Sequence, residues 1–265
     1  MDDAERPPYE LLAAMREAVA AAAYNATIEL DLGGKHAVVR ASSDKGLDAA
    51  YGKCAAVHAR AREDARKPPS NWVPNWMLSA QPAAGKSFVL TPVSQWSDEW
   101  FTVAHAVHAT MFRAEVTRLE RVQNKALWDK YAQRRAEVAK ESADGFSANE
   151  VWGFHGTRDF AVAEVCEAGL DFRYGNSGMW GRALYLAANA CYSHHYASNA
   201  GNGERQFFYV RAALGRTKEM DRDNSLRAPP NGFDSVNGMT QGHRVCMLYD
   251  LGQAYPEYIV TYRHD

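Results

Sequence analysis

Two short segments carry side chains whose types and spacing could do chemistry. The first is Phe154-His155-Gly156-Thr157, where an apolar run ends on an imidazole and a glycine. The second runs from Tyr185 through Tyr192, Ser193 and Tyr196. On a helix, residues three and four apart share a face, which would group Ser193 with Tyr196 and Tyr192 with Tyr196. Tyrosine rings, a serine hydroxyl and a backbone turn together suit a flat aromatic amide. The rings would stack on it, while the hydroxyl and backbone groups pair with its carboxamide. On spacing alone the plainer reading is the stronger one: a lone histidine after an apolar run is a satisfied core histidine, and a tyrosine-rich helix is core packing.

The elements that must hold these residues can be drawn from patterning. Val151 to His155 is a strand end with Trp152 and Phe154 in one phase. The Gly156-Thr157 turn should let a ligand approach the backbone, and a helix from Arg158 to Ala168 should follow. Thr157 or Asp159 would cap its start and Gly169 would close it. Ala183 to Ala187 is a short strand, and Ala188 to Tyr196 is helical. Phe207 to Ala213, Arg244 to Tyr249 and Glu257 to Tyr262 are further strands, with Pro256 at the start of the last. Upstream, Phe88 to Leu90 is a strand and Ser97 to Met111 a helix. Val116 to Asn124 switches from strand-like to helical, and a charged amphipathic helix continues to Glu141. Nearer the N-terminus come a helix from Tyr9 to Tyr24 and strands Thr27 to Leu32 and His36 to Ala41, joined through Gly33-Gly34. A second helix, Asp44 to Arg66, ends before Pro68-Pro69-Ser70-Asn71. The expected organisation is a small helix–hairpin–helix unit with its linker over 1–75. An α+β domain follows over 76–265, with mixed, mostly antiparallel sheets and flanking helices.

Composition bounds the function classes. The 265 residues allow one large domain plus a small unit. A net charge of −2, from 30 basic and 32 acidic residues, makes no electrostatic case for nucleic acid or an anionic membrane. The run Lys125 to Lys140 reads as a solvated helix face. Cys54, Cys166, Cys191 and Cys246 form no CxxC pair, which suits reduced thiols inside a cell. The alanine-rich stretch Ala18 to Ala26 is too short to span a bilayer, and the acidic start Met1-Asp2-Asp3-Ala4-Glu5 is unlike a signal peptide. A soluble protein of the cytoplasm or nucleus is expected. His105 and His108 share a helix face and His194 and His195 do not, but no zinc-spaced partner accompanies either pair, so no metal is expected. Gly175 to Gly181 and Gly201-Asn202-Gly203 follow neither GxGxxG nor the P-loop pattern.

A third segment, Gln253-Ala254-Tyr255-Pro256-Glu257-Tyr258-Ile259-Val260-Thr261-Tyr262, changes the balance. In this order and spacing, the three segments resemble the catalytic domain of the PARP-like (diphtheria-toxin-type) ADP-ribosyltransferases. Phe88 to Met111, Val116 to Trp128 and Phe233-Asp234-Ser235-Val236 extend the resemblance from about Lys86 to Tyr262. It implies the ADP-ribosyltransferase fold, NAD as substrate bound without a Rossmann fold, and no metal. His155 would hydrogen-bond a ribose of NAD, and the Gly156 backbone would pair with the nicotinamide amide, with Thr157 beside it. Tyr185 and Tyr196 would stack against nicotinamide, and Ser193 would bond the carboxamide oxygen. Tyr192 fits the cleft by spacing only.

One position departs from the polymer-forming pattern. Their triad glutamate stands four residues before the tyrosine matched by Tyr249, and here that position is Val245. Valine can neither hydrogen-bond the nicotinamide ribose nor activate a hydroxyl that extends a chain. The implied activity is mono-ADP-ribosyl transfer from NAD to a protein, or to a nucleic acid, with release of nicotinamide. The alternatives are an inactive NAD- or ADP-ribose-binding scaffold and an NAD glycohydrolase. The loop Asp171 to Trp180 would cover the donor site, and Asp221 to Gly242 would border the acceptor site.

Overall fold

The computed structural model describes residues 8–20, 26–31, 36–64, 66–72, 85–141, 147–158, 161–175 and 177–264. The chain divides into two compact units, Met1–Trp72 with Ala143–Gly145, and Val73–Ser142 with Phe146–Asp265. In the first, helix α1 (Pro8–Ala20) and helix α2 (Asp44–Asp64) flank an antiparallel pair, β1 (Ala26–Asp31) and β2 (His36–Ala41). Met15 and Val19 of α1 pack with Ala50 of α2 in its core. The expected turn at Gly33-Gly34 and most of the connector after Trp72 lie outside the described residues. No described helix is long and apolar enough to cross a membrane.

The second unit is built on one sheet. Its strands are β3 (Val89–Pro92), β4 (Glu115–Gln123), β5 (Glu150–His155), β6 (Leu184–Ala187), β7 (Ser198–Gly201), β8 (Glu204–Ala213), β9 (Thr217–Glu219), β10 (Ser235–Thr240), β11 (His243–Leu248) and β12 (Ala254–Arg263). The described order is β3-β4-β12-β8-β5-β6-β11-β10-β9, with β7 beside β8. Its pairings are antiparallel except β9 on β10. Helices α3 (Asp98–His108), α4 (Lys125–Glu141), α5 (Val162–Ala168) and α6 (Ala190–His194) accompany it. Alternation along β8 and β12 divides the apolar side chains between two cores. Phe208, Val210 and Ile259 join Val165, Cys166 and Leu170 in one. Phe207, Val260 and Tyr262 join Val103, Val107 and Ala190 in the other.

The sheet is fastened weakly at one place. Strands β5 and β6 share a single register pair, Phe154 with Ala187. Beyond it the strands splay, and the candidate site lies along that opening.

Several elements differ from the sequence expectations. The segment Glu115–Gln123 is strand throughout and does not turn helical, because it is pinned between β3 and β12. Pro256 lies inside β12, not at its start. It is tolerated in this central strand because the register shifts between Pro256 and Tyr258. The expected loop Asp221 to Gly242 contains a full strand, β10, and β7 and β9 were not anticipated at all. The helix expected from Arg158 begins only at Val162, with Ala161 at its N-cap and no side-chain cap. The candidate cap Asp159 lies outside the described residues. Arg158 itself has φ 50, a left-handed conformation that no α-helix continues through.

Candidate active site

Three backbone carbonyls and one glycine fix the corner where β5 leaves β6. The Ser193 hydroxyl donates to the Phe154 carbonyl at 2.9 Å, tying α6 to the end of β5. His155 Nδ1 lies 2.9 Å from the Tyr185 carbonyl and replaces the ladder bond that the splaying strands forgo. The Arg158 N–H donates to the Tyr196 carbonyl at 2.9 Å. Gly156 completes the corner: a Cβ there would lie 2.3 Å from both the carbonyl carbon and the oxygen of Tyr196. The chain's own backbone therefore already demands glycine at this position. Thr157 is buried beside it.

The imidazole state follows from its partner. A carbonyl oxygen can only accept, so Nδ1 carries the proton. Burial pushes the His155 pKa below the ordinary value of 6.5, with the Tyr185 carbonyl opposing that shift. The neutral ring then presents Nε2 as a bare acceptor, which suits a donor such as a sugar hydroxyl.

Tyr185 stands on β6 with its hydroxyl doubly engaged. It accepts from the Trp180 N–H at 2.8 Å and donates to the Gly181 carbonyl at 2.9 Å. Burial raises its pKa, so the phenol stays protonated. Gly178 lies against this ring, since a Cβ there would come within 2.7 Å of it. Trp180 is almost fully buried, donates its indole N–H to the Met220 carbonyl at 3.2 Å, and accepts at its own carbonyl from Tyr249 at 2.8 Å. Gly238 of β10 leaves room for that indole, which would meet a Cβ at 2.1 Å. Thus the segment expected to cover the donor site packs, through the Trp180 indole, against Gly238 in the segment expected to border the acceptor. Within the donor-side segment, Asp171 caps a short 3-10 turn at Phe172–Tyr174.

Tyr192 and Tyr196 converge with ring centroids 5.6 Å apart. Burial and the neighbouring Tyr196 hydroxyl push the Tyr192 phenol up to about 12. Tyr192 lies within α6, whereas Tyr196 lies beyond its end, its N–H bonded to the Ser193 carbonyl at 2.9 Å. The Arg158 guanidinium lies over the Tyr196 ring, 4.5 Å from its centroid.

Val245 is nearly inaccessible, at 1% exposure, in a cluster with Trp180, Ala187, Tyr192 and Met247. Tyr185 and Tyr196 pack against the same cluster. The β6–β11 register sets Val245 opposite Ala187 and Met247 opposite Tyr185. Every sequence-expected site residue thus falls at the β5–β6 splay or in the cluster beside it.

The Ser193 proton is committed to the Phe154 carbonyl, so as placed the hydroxyl would receive an amide N–H through its lone pairs. Donation to a carboxamide oxygen would require it to rotate. Sequence reasoning missed Trp180, Gly238 and Arg158. The Gly-Met-Trp-Gly run was visible, but the contacts that give Trp180 its place come from strands far along the chain. The residues present fit a flat amide joined to a sugar: a bare imidazole acceptor, tyrosine faces and a hydroxyl lie together.

Comparison with known proteins shows the family. The family described as the poly(ADP-ribose) polymerase catalytic domain matches residues 97–251. The chain is 32% identical over 199 residues to the human protein mono-ADP-ribosyltransferase PARP12, covering 71% of this chain and 27% of that protein. It is 30% identical over 185 residues to a probable poly [ADP-ribose] polymerase of Dictyostelium discoideum, covering 66% and 52% respectively. It is 29% identical over 177 residues to the human protein mono-ADP-ribosyltransferase PARP14, covering 62% and 10%. The chain therefore spans between a tenth and about half of the length of these relatives.

Proposed function

Because the chain belongs to the poly(ADP-ribose) polymerase catalytic-domain family, we propose that it transfers a single ADP-ribose from NAD to a protein acceptor and releases nicotinamide. In this reading Tyr185 and Tyr196 stack on the nicotinamide, and the Gly156 backbone and Ser193 hydroxyl bind its carboxamide. His155 Nε2 accepts from a ribose hydroxyl. Thr157 and Tyr192 support the turn and the ring that bound the cleft.

The observation that carries single rather than repeated transfer is Val245. It is packed among Trp180, Tyr192 and Met247, and an isopropyl group there offers no base to a growing chain's hydroxyl. Rate enhancement then rests on orientation and on charge supplied by other groups. The names of two relatives, protein mono-ADP-ribosyltransferases, support the same reading.

The test uses NAD labelled in its adenylate part, a mixed protein acceptor and a separate nucleic-acid acceptor. The products are resolved on a denaturing gel with nicotinamide release measured in parallel. Discrete labelled protein bands with stoichiometric nicotinamide are expected, without a polymer ladder. Label on nucleic acid alone would reassign the acceptor. Free ADP-ribose without any acceptor would make the protein a glycohydrolase. Bound NAD with neither label nor nicotinamide would make it a binding scaffold.

A further inference from the structure

Arg158 has no task in the reading above, yet its position is specific. It is an exposed residue held at φ 50, a conformation that side-chain-bearing residues rarely adopt and that concentrates at functional sites. Its own N–H is bonded to the Tyr196 carbonyl, and its guanidinium lies 4.5 Å from the centroid of the Tyr196 ring. The strained turn therefore places a planar cation on the π-system that is proposed to stack with nicotinamide.

In NAD the nicotinamide ring is itself a planar cation. A tyrosine ring attracts a cation through its quadrupole, and a second cation on the same ring gains less than the first. Released nicotinamide is neutral and loses nothing by the presence of Arg158. The guanidinium thus discriminates between the bound substrate and its departing fragment.

We propose that Arg158, acting through Tyr196, is a positioning residue that disfavours the pyridinium of bound NAD and so promotes its departure. This supplies part of the electrostatic assistance that Val245 cannot, and it rests on the NAD reading above. In the step, the bond between the nicotinamide nitrogen and the anomeric carbon breaks, and its electron pair stays on nitrogen. Nicotinamide leaves neutral. A lone pair of the acceptor nucleophile forms the new bond to the anomeric carbon, and the acceptor's proton passes to solvent. Positive charge moves off the ring next to Arg158 and onto the sugar, so repulsion present in the ground state is relieved toward the transition state.

The experiment compares the parent protein with Arg158→Gln and Arg158→Lys. Binding of NAD and of free nicotinamide is measured by calorimetry, and kcat and KM by nicotinamide release. Both substitutions fall at an exposed position and keep an unbranched polar side chain, and matched unfolding midpoints verify the fold. Arg158→Gln is expected to bind NAD about three- to tenfold tighter, with nicotinamide affinity changed by less than about twofold. KM and kcat should fall together, the signature of removed ground-state strain, and Arg158→Lys should restore both. Weaker NAD binding in Arg158→Gln would overturn the proposal and make Arg158 an anchor for the pyrophosphate. Equal tightening for NAD and nicotinamide would overturn it too, since a mere steric plug would do that. An unchanged kcat would overturn it as well. If the parent binds neither NAD nor nicotinamide, the NAD reading itself fails, and this inference with it.

Discussion

Tyr185 holds Trp180 by its backbone: the phenol hydroxyl accepts the Trp180 N–H at 2.8 Å while donating to the neighbouring Gly181 carbonyl at 2.9 Å. One hydroxyl therefore fixes both the Tyr185 ring on β6 and the turn that carries Trp180 into the apolar cluster. Tyr185→Phe keeps the ring and strands two polar backbone groups, which should cost about 1–3 kcal/mol of stability. Tyr185→Ala also removes the ring proposed to stack on nicotinamide and should abolish most NAD turnover. Denaturant unfolding and nicotinamide release together separate the two effects. Parent-like turnover in Tyr185→Ala would put the reacting site elsewhere.

His155 should impose an acid limit on activity. Its pKa is lowered from 6.5 by burial, so the neutral acceptor form persists below the usual range. Between the folded and unfolded values the unfolded chain binds more protons, so stability rises with pH there. The contribution is complete above pH 6.5 and is lost as pH falls through the folded value. In parallel, kcat/KM for NAD should hold through pH 6.5 and decline only as pH falls through the lowered folded value, where Nε2 becomes a donor. A pH profile of parent and His155→Gln checks this, and the same acid limb in the variant would assign it to another group.

Val245→Glu places a carboxyl in a site of 1% exposure among Trp180, Tyr192 and Met247. Burial raises such a pKa, and an unpartnered carboxylate there should cost roughly 2–4 kcal/mol. The folded state then binds the proton more tightly than the unfolded chain. The penalty is therefore absent at acid pH and grows as pH rises through the unfolded and then the folded value. Thermal melts across pH read this directly. The variant should still form no polymer, and a ladder on the labelling gel would show that Val245 alone had blocked chain extension.

Gly156→Ala brings a methyl group into the Tyr196 backbone, with 2.3 Å where ordinary contact needs well over 3 Å. The corner must open, at a cost of about 1–3 kcal/mol, and nicotinamide affinity should fall with it. A calorimetric titration decides: undiminished affinity at lowered stability would mean that the corner does not shape the amide pocket.

Much of this was legible in the chain. The strands around Phe154, Leu186, Cys246 and Ile259 stand out as short apolar, β-branched or aromatic runs, because each buries side chains in the cores of the sheet. Strands Ser198–Gly201 and Thr217–Glu219 gave no signal. They are short and polar, and their strand character comes from backbone pairing with β8 and β10. The helix start at Arg158 was misplaced because no propensity scale encodes a carbonyl from Tyr196, 38 residues away, that holds the turn in a left-handed conformation.

The sequence by itself determined the family, the order of His155, Tyr185, Ser193, Tyr196 and Val245, and the absence of an acid at position 245. These are properties of side-chain identity and spacing. Only the tertiary structure decided that Ser193 spends its proton on Phe154, that Gly156 yields to Tyr196, that Trp180 is latched by Tyr185 and Tyr249, and that Arg158 rests on the Tyr196 ring. The first three are contacts to backbone atoms, which every residue carries alike, and the last accompanies a fourth, the Arg158 N–H bonded to the Tyr196 carbonyl. They appear only when the long-range pairing of the sheet brings segments distant in the chain together.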